Sequence, residues 1–308
     1  RDQQIQFLAQ AGLYQYKTDG TSLFLDRANT LSNSITTPEE QLSATLQLGV
    51  AYFKSGNINT ANQYFGKINT LISQISAMDA TVRSRIAIAK AYKNLGNDAT
   101  AQQWLSSVKA LIPNVSGSTF TDIVMAHAYL NQLNGTLQLI QQAPAQLSQD
   151  ELRAKAIQVF ASSGSYNSAS RLLERIQAVD YKATSYILMA SYAQENTSYL
   201  QLTEALLDSQ INAPMDKATV LSQLAQQYAI RYNTQKTDAL YQLTKQQLNT
   251  LSASQKNENA LSIISSNYAH TLNLTYSKKL LSFIKSPTIR ANLKAEIART
   301  AKVAALIN

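Results

Sequence analysis

The chain has 308 residues, of which 45% are hydrophobic and only 15% charged, with nine glycines, five prolines and no cysteine. The lack of cysteine excludes disulfides, thiolate metal sites and cysteine nucleophiles. The few glycines and prolines favour long helices with short turns over a β-sandwich. The formal net charge is +8, and most of the excess lies between Tyr276 and Asn308.

A helical apolar pattern recurs about every 36 residues along the chain. In the first clear unit, Leu48 and Gly49 precede Tyr52 by four and three positions, which places them on one helix face. The small Gly49 would let a neighbouring helix approach closely. Gly56 then ends the helix, and Ala61 lies early in a second helical stripe. An aromatic residue marks the same position in later units: Tyr92, Tyr129, Phe160, Tyr192, Tyr228 and Tyr268.

Capping signals support the predicted helix starts. Residues 37–40 read Thr-Pro-Glu-Glu, a capping box with proline at the first helical position, and residues 148–151 form a second box without proline. Acidic side chains in first turns favour the helix dipole. These acids therefore have a local structural role and are poor catalytic candidates.

The spacing of apolar-small pair, aromatic, turn glycine and second-helix alanine resembles the tetratricopeptide repeat (TPR) family. The resemblance implies an all-α, right-handed α-solenoid of about eight TPR-like helical hairpins in one domain, residues 1-308. The best-matched repeats are 38-74, 79-113 and 148-180; the degenerate ones are 1-35, 119-147, 182-212, 215-251 and 254-286. A narrow apolar face that includes Ile289, Leu293 and Ile297 predicts a capping helix over residues 287-308.

Few residues are suited to catalysis. His127 and His270 lie far apart in sequence, and neither has a second histidine or a carboxylate three or four positions away, as a helical metal site needs. No phosphate-binding glycine loop or nucleophile elbow is present. We therefore predict a protein that is not an enzyme and has neither a metal nor a cofactor.

The TPR resemblance implies that the first helices of the hairpins line a concave groove that binds a peptide or helix of a partner protein. Basic groups beside apolar ones suit an acidic-apolar segment, although the same face could simply be solvated. The residues that TPR modules use to clamp a C-terminal carboxylate are replaced by Leu46, Val50 and Ile86. The candidate partner-binding residues are Phe53, Lys54, Arg83, Ile86, Lys90, Lys93, Asn94, Phe120, Ile123, His127 and Asn131.

Three alternatives remain open from the sequence. The basic C-terminal segment, with Lys278, Lys279 and Lys294, could bind an anionic membrane surface or nucleic acid, or it could be a solubilising cap. Self-association through the convex face is a further possibility. Tyr186 and Tyr199 fall outside the repeat register and are freer to contact a ligand.

The Gln/Asn/Ser/Thr-rich, cysteine-free composition slightly favours a bacterial extracytoplasmic location, either periplasmic, lipid-anchored or secreted.

Overall fold

Helices joined by turns account for the secondary structure of the computed structural model, which describes residues 2–193 and 197–307. No strand occurs within these two ranges, so the predicted all-α class is confirmed. The predicted segments 1-35, 182-212 and 287-308 each include residues outside the described ranges. The α-helices in chain order are α1 (Asp2–Asp19), α2 (Leu23–Ser32), α3 (Pro38–Lys54), α4 (Ile58–Gly66), α5 (Ile68–Ser73), α6 (Met78–Asn94), α7 (Asp98–Ser106), α8 (Gly117–Tyr129), α9 (Leu133–Gln141), α10 (Gln149–Ser162), α11 (Tyr166–Leu173), α12 (Val179–Tyr192), α13 (Ser198–Ser209), α14 (Pro214–Ile230), α15 (Thr234–Asn249), α16 (Glu258–His270), α17 (Leu274–Leu281) and α18 (Pro287–Ile307).

The chain divides into two compact units, residues 1–152 and 153–308. In the first unit α1 packs against α2, α3 against α4, α6 against α7 and α8 against α9, and the successive first helices α1, α3, α6 and α8 also pack against one another. In the second unit α12 pairs with α13, α14 with α15 and α16 with α17, while α12, α14, α16 and α18 pack in succession. Within the described residues, no helix is long and apolar enough to cross a lipid bilayer.

A left-handed residue recurs in the turns between paired helices. In the turn after α3, the N–H of Gly56 donates to the carbonyl of Phe53, and the N–H of Asn57 donates to the carbonyl of Tyr52. Glycine reaches this positive φ without the steric strain that a Cβ causes. Among the described residues, positive φ occurs at Gly20, Gly56, Gly96, Asn131, Gly164, Tyr232 and Leu272.

The same turn identifies the true register of the hairpin formed by α8 and α9. The carbonyls of Tyr52, Tyr92 and Phe160 accept the N–H of the residue that follows the left-handed position. In the α8–α9 turn the equivalent acceptor is the carbonyl of His127. The assignment of Tyr129 to the repeat position is therefore wrong, because α8 turns two residues earlier than the aromatic spacing implied.

One of the two predicted capping boxes forms differently from the prediction. The Thr37 hydroxyl donates to the Glu40 carboxylate at 2.9 Å, and its side chain makes no capping bond to the α3 backbone. At the start of α10, by contrast, the Ser148 hydroxyl accepts the N–H of Glu151 at 3.2 Å, which confirms that side of the second box.

Close helix approach at Gly49 is confirmed. A Cβ added to this glycine would lie 2.6 Å from Cε1 of Phe65, inside van der Waals contact. Beside it, Tyr52 of α3 stacks on Tyr64 of α4 with ring centroids 5.6 Å apart. Aromatic side chains thus hold α3 and α4 together, and one of them packs directly against the α3 backbone at Gly49.

A buried isoleucine precedes several first helices by three positions, a feature that the sequence reasoning missed. Each of these side chains is buried where the chain crosses from one hairpin to the next. The pattern is visible in the sequence: each isoleucine lies two residues before the threonine, alanine or serine that immediately precedes the helix. The residues are Ile35, Ile75, Ile176, Ile211 and Ile284.

Candidate partner-binding groove

A groove crosses the first unit between α1, α3 and α6. It encloses about 430 Å³ and is lined by side chains from all three helices. Small apolar residues at its base include Ala51 of α3 and Ala91 of α6, both buried. The groove exists because alanine at these positions leaves the space between neighbouring first helices unfilled.

The edges of the groove carry amides and cations. Gln10 of α1, Lys54 of α3, and Lys90 and Asn94 of α6 line it, and among the described side chains no aspartate or glutamate does. Within the described residues neither Lys54 nor Lys90 is in an ion pair. Apolar surface and positive charge therefore occur together at Lys54 and Lys90, and the neutral amide of Asn94 lines the same groove.

Tyr129 of α8 contacts two of these edge residues. Its ring centroid lies 5.7 Å from Nζ of Lys90, a cation–π contact, and its hydroxyl donates to Oδ1 of Asn94. The sequence reasoning treated this tyrosine as a core residue of the repeat. In the structure it is half-buried and holds polar groups at the edge of the groove.

Arg83 and Lys93 were predicted to join the basic surface, but both are engaged elsewhere and neither lines the groove. Arg83 Nε lies 3.1 Å from Oδ2 of Asp122, and Lys93 Nζ lies 3.0 Å from Oδ1 of Asp98. The Arg83–Asp122 pair links α6 to α8, whereas Lys93 pairs across the turn into α7. Exposed ion pairs of this kind contribute little to stability. They nevertheless neutralise the positive charges of Arg83 and Lys93 with nearby aspartates.

Three apolar candidates are not exposed. Ile86 is 4% exposed, Phe120 2% and Ile123 0%. The expectation that they face a groove is wrong: Ile86 lies on α6, Phe120 and Ile123 lie on α8, and α8 packs against both α6 and α9. They belong to the interior of the first unit.

The remaining candidates also lie away from the groove. Phe53 is 37% exposed but does not line the groove, and Asn131 occupies the left-handed turn position with φ 57°. His127 packs against α9, where a Cβ on Gly135 would lie 2.6 Å from its Nδ1. Burial lowers the pKa of His127, so its neutral ring is a packing residue at neutral pH.

The second unit holds the other histidine and the two tyrosines outside the register. Nε2 of His270 lies 3.0 Å from Oε1 of Glu296, and no cluster of three or more potential metal ligands occurs in the described part of the chain. Tyr186 and Tyr199 contact each other, with ring centroids 6.1 Å apart and tilted by 31°. They border a surface pocket together with Ser170, so both remain accessible from one side.

The basic C-terminal segment is partly structural. Arg290 donates from Nε to the carbonyl of Ile284 at 2.9 Å, which anchors the start of α18. By contrast, Lys294, Arg299 and Lys302 are exposed on α18. The buried Leu293 and Ile297 form the apolar face that was predicted for this helix.

Comparison with known proteins does not show a family for this chain. No protein-family model matches it, and no curated protein matches it. A solved structure with some likeness is that of Ton1535 from Thermococcus onnurineus NA1, with a TM-score of 0.43 and 11% sequence identity over 94% of this chain and 89% of that chain. Likeness at this level supports neither a family nor a function.

Proposed function

We propose that the protein is a non-catalytic scaffold that binds an acidic-apolar peptide segment or helix of a partner protein. The observation that carries this proposal is the groove between α1, α3 and α6, which combines an apolar base with Lys54 and Lys90 and has no carboxylate among its described lining residues. Binding sites of this kind bury apolar anchors and use a few charges for orientation and specificity.

We further propose that the chain is a right-handed α-solenoid of about eight TPR-like hairpins closed by a capping helix, α18. Support comes from the packing of successive first helices within each unit and from the recurring left-handed turn. A solenoid exposes the first helices as one extended surface, which is the surface that contains the groove.

The test uses a displayed library of random peptides selected on the immobilised full chain. We expect enriched peptides to alternate Asp or Glu with large apolar residues. The double variant Lys54→Glu, Lys90→Glu should lose binding by about 100-fold, since two favourable charge contacts become repulsive. Lys67→Glu, Lys109→Glu is the matched control, because both lysines are exposed and lie outside the groove. Equal loss in both double variants, or enrichment without acidic residues, contradicts the proposal.

A second candidate function is binding of an anionic membrane surface or nucleic acid through α18. The favouring observation is that Lys294, Arg299 and Lys302 are exposed, whereas Glu296 is half-buried against His270. Charge reversal of the three basic residues should abolish sedimentation with anionic vesicles or a mobility shift of duplex DNA at moderate salt. No interaction of the unaltered chain with either probe would exclude this function.

A further inference from the structure

We infer that Lys90 and Asn94 form a subsite for the side-chain carboxylate of a bound peptide, and that Tyr129 is the positioning residue of this subsite. The inference deepens the proposed function, on which it rests. It assigns a chemical group to one part of the groove and a role to a residue outside its lining.

The first step is the placement of the two donors. Lys90 and Asn94 lie four positions apart on α6, so their side chains project from the same helix face. Both line the groove. Lysine offers three N–H donors and no acceptor, and the asparagine amide offers two donors on Nδ2 and one acceptor, Oδ1.

The second step concerns the acceptor oxygen of Asn94, which already has a partner within the protein. Because the Tyr129 hydroxyl donates to Oδ1 of Asn94, this oxygen is engaged on the α8 side. The Nδ2 group, which has no partner among the described residues, is then the part of the amide left for a ligand. Together with the Lys90 ammonium, the edge of the groove presents donors and one positive charge.

The third step is the restraint on Lys90. Its Nζ lies 5.7 Å from the centroid of the Tyr129 ring, and this cation–π contact favours the rotamers that keep the ammonium near the ring whose hydroxyl bonds Asn94. One aromatic side chain thus orients both donors before a ligand arrives. Preorganisation of this kind raises affinity because less side-chain freedom is lost on binding.

The ligand chemistry follows from these donors. A carboxylate carries two acceptor oxygens and a single negative charge, which match one ammonium and one amide NH₂ group. A neutral amide of the same shape would keep one acceptor oxygen and would bring an NH₂ group against the donors. The subsite should therefore distinguish glutamate from glutamine.

The experiment titrates the full chain, labelled with ¹⁵N at asparagine, with the α-amide of N-acetyl-glutamate and, separately, with the α-amide of N-acetyl-glutamine. We expect the glutamate probe to shift the Asn94 side-chain amide resonances in a saturable way, and the glutamine probe to bind at least about tenfold more weakly. Lys90→Gln should weaken the glutamate probe by about tenfold, and Tyr129→Phe, which keeps the ring but removes the hydroxyl, by about threefold. Lys109→Gln should leave the affinity unchanged.

Asn94→Asp provides a second variant, since it still accepts from Tyr129 but replaces the donor with a carboxylate. It should abolish binding of the glutamate probe in a backbone-amide titration. Equal shifts with both probes, or unchanged affinity in both Tyr129→Phe and Asn94→Asp, would overturn the inference. Peptide selection could succeed even so, and in that case the groove would bind its partner through other contacts.

Discussion

The close approach of α3 and α4 at Gly49 makes a specific prediction about stability. Replacing this glycine with alanine introduces a Cβ 2.6 Å from Cε1 and 3.0 Å from Cζ of Phe65. Ordinary contact begins at 3.4 Å, so the ring must move by at least 3.4 − 2.6 = 0.8 Å. The Phe65 ring also packs against Tyr92, with centroids 5.6 Å apart, which limits how far it can move.

The expected free-energy change combines two opposing effects. Overpacking a well-filled core costs about 1–3 kcal/mol, while alanine in place of glycine inside a helix gains about 1 kcal/mol. We therefore expect Gly49→Ala to lower the free energy of unfolding by about 0–2 kcal/mol. The control is Gly66→Ala near the end of α4, where an added Cβ meets nothing within 4 Å, and which should be stabilising by about 0.5–1 kcal/mol.

Urea unfolding followed by tryptophan fluorescence measures the difference between these variants. The chain has a single tryptophan, Trp104, and this residue packs against the same hydrophobic cluster as Phe65. With a slope of about 2 kcal/mol per M urea, the midpoints of the two variants should differ by about 0.3–1.5 M. A midpoint for Gly49→Ala as high as that for Gly66→Ala would refute the argument from close packing.

Two further predictions concern buried tyrosines and the hairpin turns. Burial raises the pKa of Tyr64 and of Tyr241 to about 12, above the unfolded value of about 10. Between these two pH values the folded state binds more protons than the unfolded state. The free energy of unfolding should therefore fall as the pH rises from about 10 to about 12. Urea midpoints across this range should show the fall, and Tyr241→Phe should reduce it; a flat profile would contradict the burial argument. Tyr232 has φ 58° and is 93% exposed, so Tyr232→Gly should be stabilising by about 0.5–1 kcal/mol, whereas Gly164→Ala at φ 76° should be destabilising by about 1 kcal/mol. Urea unfolding followed by circular dichroism checks both signs, and a loss of stability in Tyr232→Gly would show that the turn is unstrained.

Part of the candidate site was predictable from local spacing. The offsets of Lys54, Lys90 and Asn94 from the periodic aromatic predict that they lie on the helix face not used for packing within the hairpin. Ile86 was chosen by the same rule and is buried, because a helix face becomes exposed or covered according to how a neighbouring helix crosses it. The offset within one helix carries no information about that crossing.

The role of Tyr129 was not predictable in the same way. Its contacts with Lys90 and Asn94 depend on α8 turning at His127, two residues before the position that the aromatic pattern favours. One clue was the absence of a turn glycine after Tyr129, where Asn131 supplies the left-handed residue. Asparagine tolerates that conformation better than most residues, so Asn131 is the sequence signal for the earlier turn.

The sequence by itself determined the all-α class, the repeating pair of helices and the close approach at Gly49. These features follow from interactions between residues a few positions apart, which apolar period, glycine and capping residues encode directly. Only the tertiary structure decided that Ile86, Phe120 and Ile123 are interior, that Arg83 and Lys93 are paired, and that Tyr129 supports the groove. The Lys93–Asp98 pair spans only five positions, but the Arg83–Asp122 and Tyr129–Asn94 contacts join first helices 39 and 35 residues apart in sequence. The pattern of a single helix cannot specify which neighbouring helix will cover or pair with its residues.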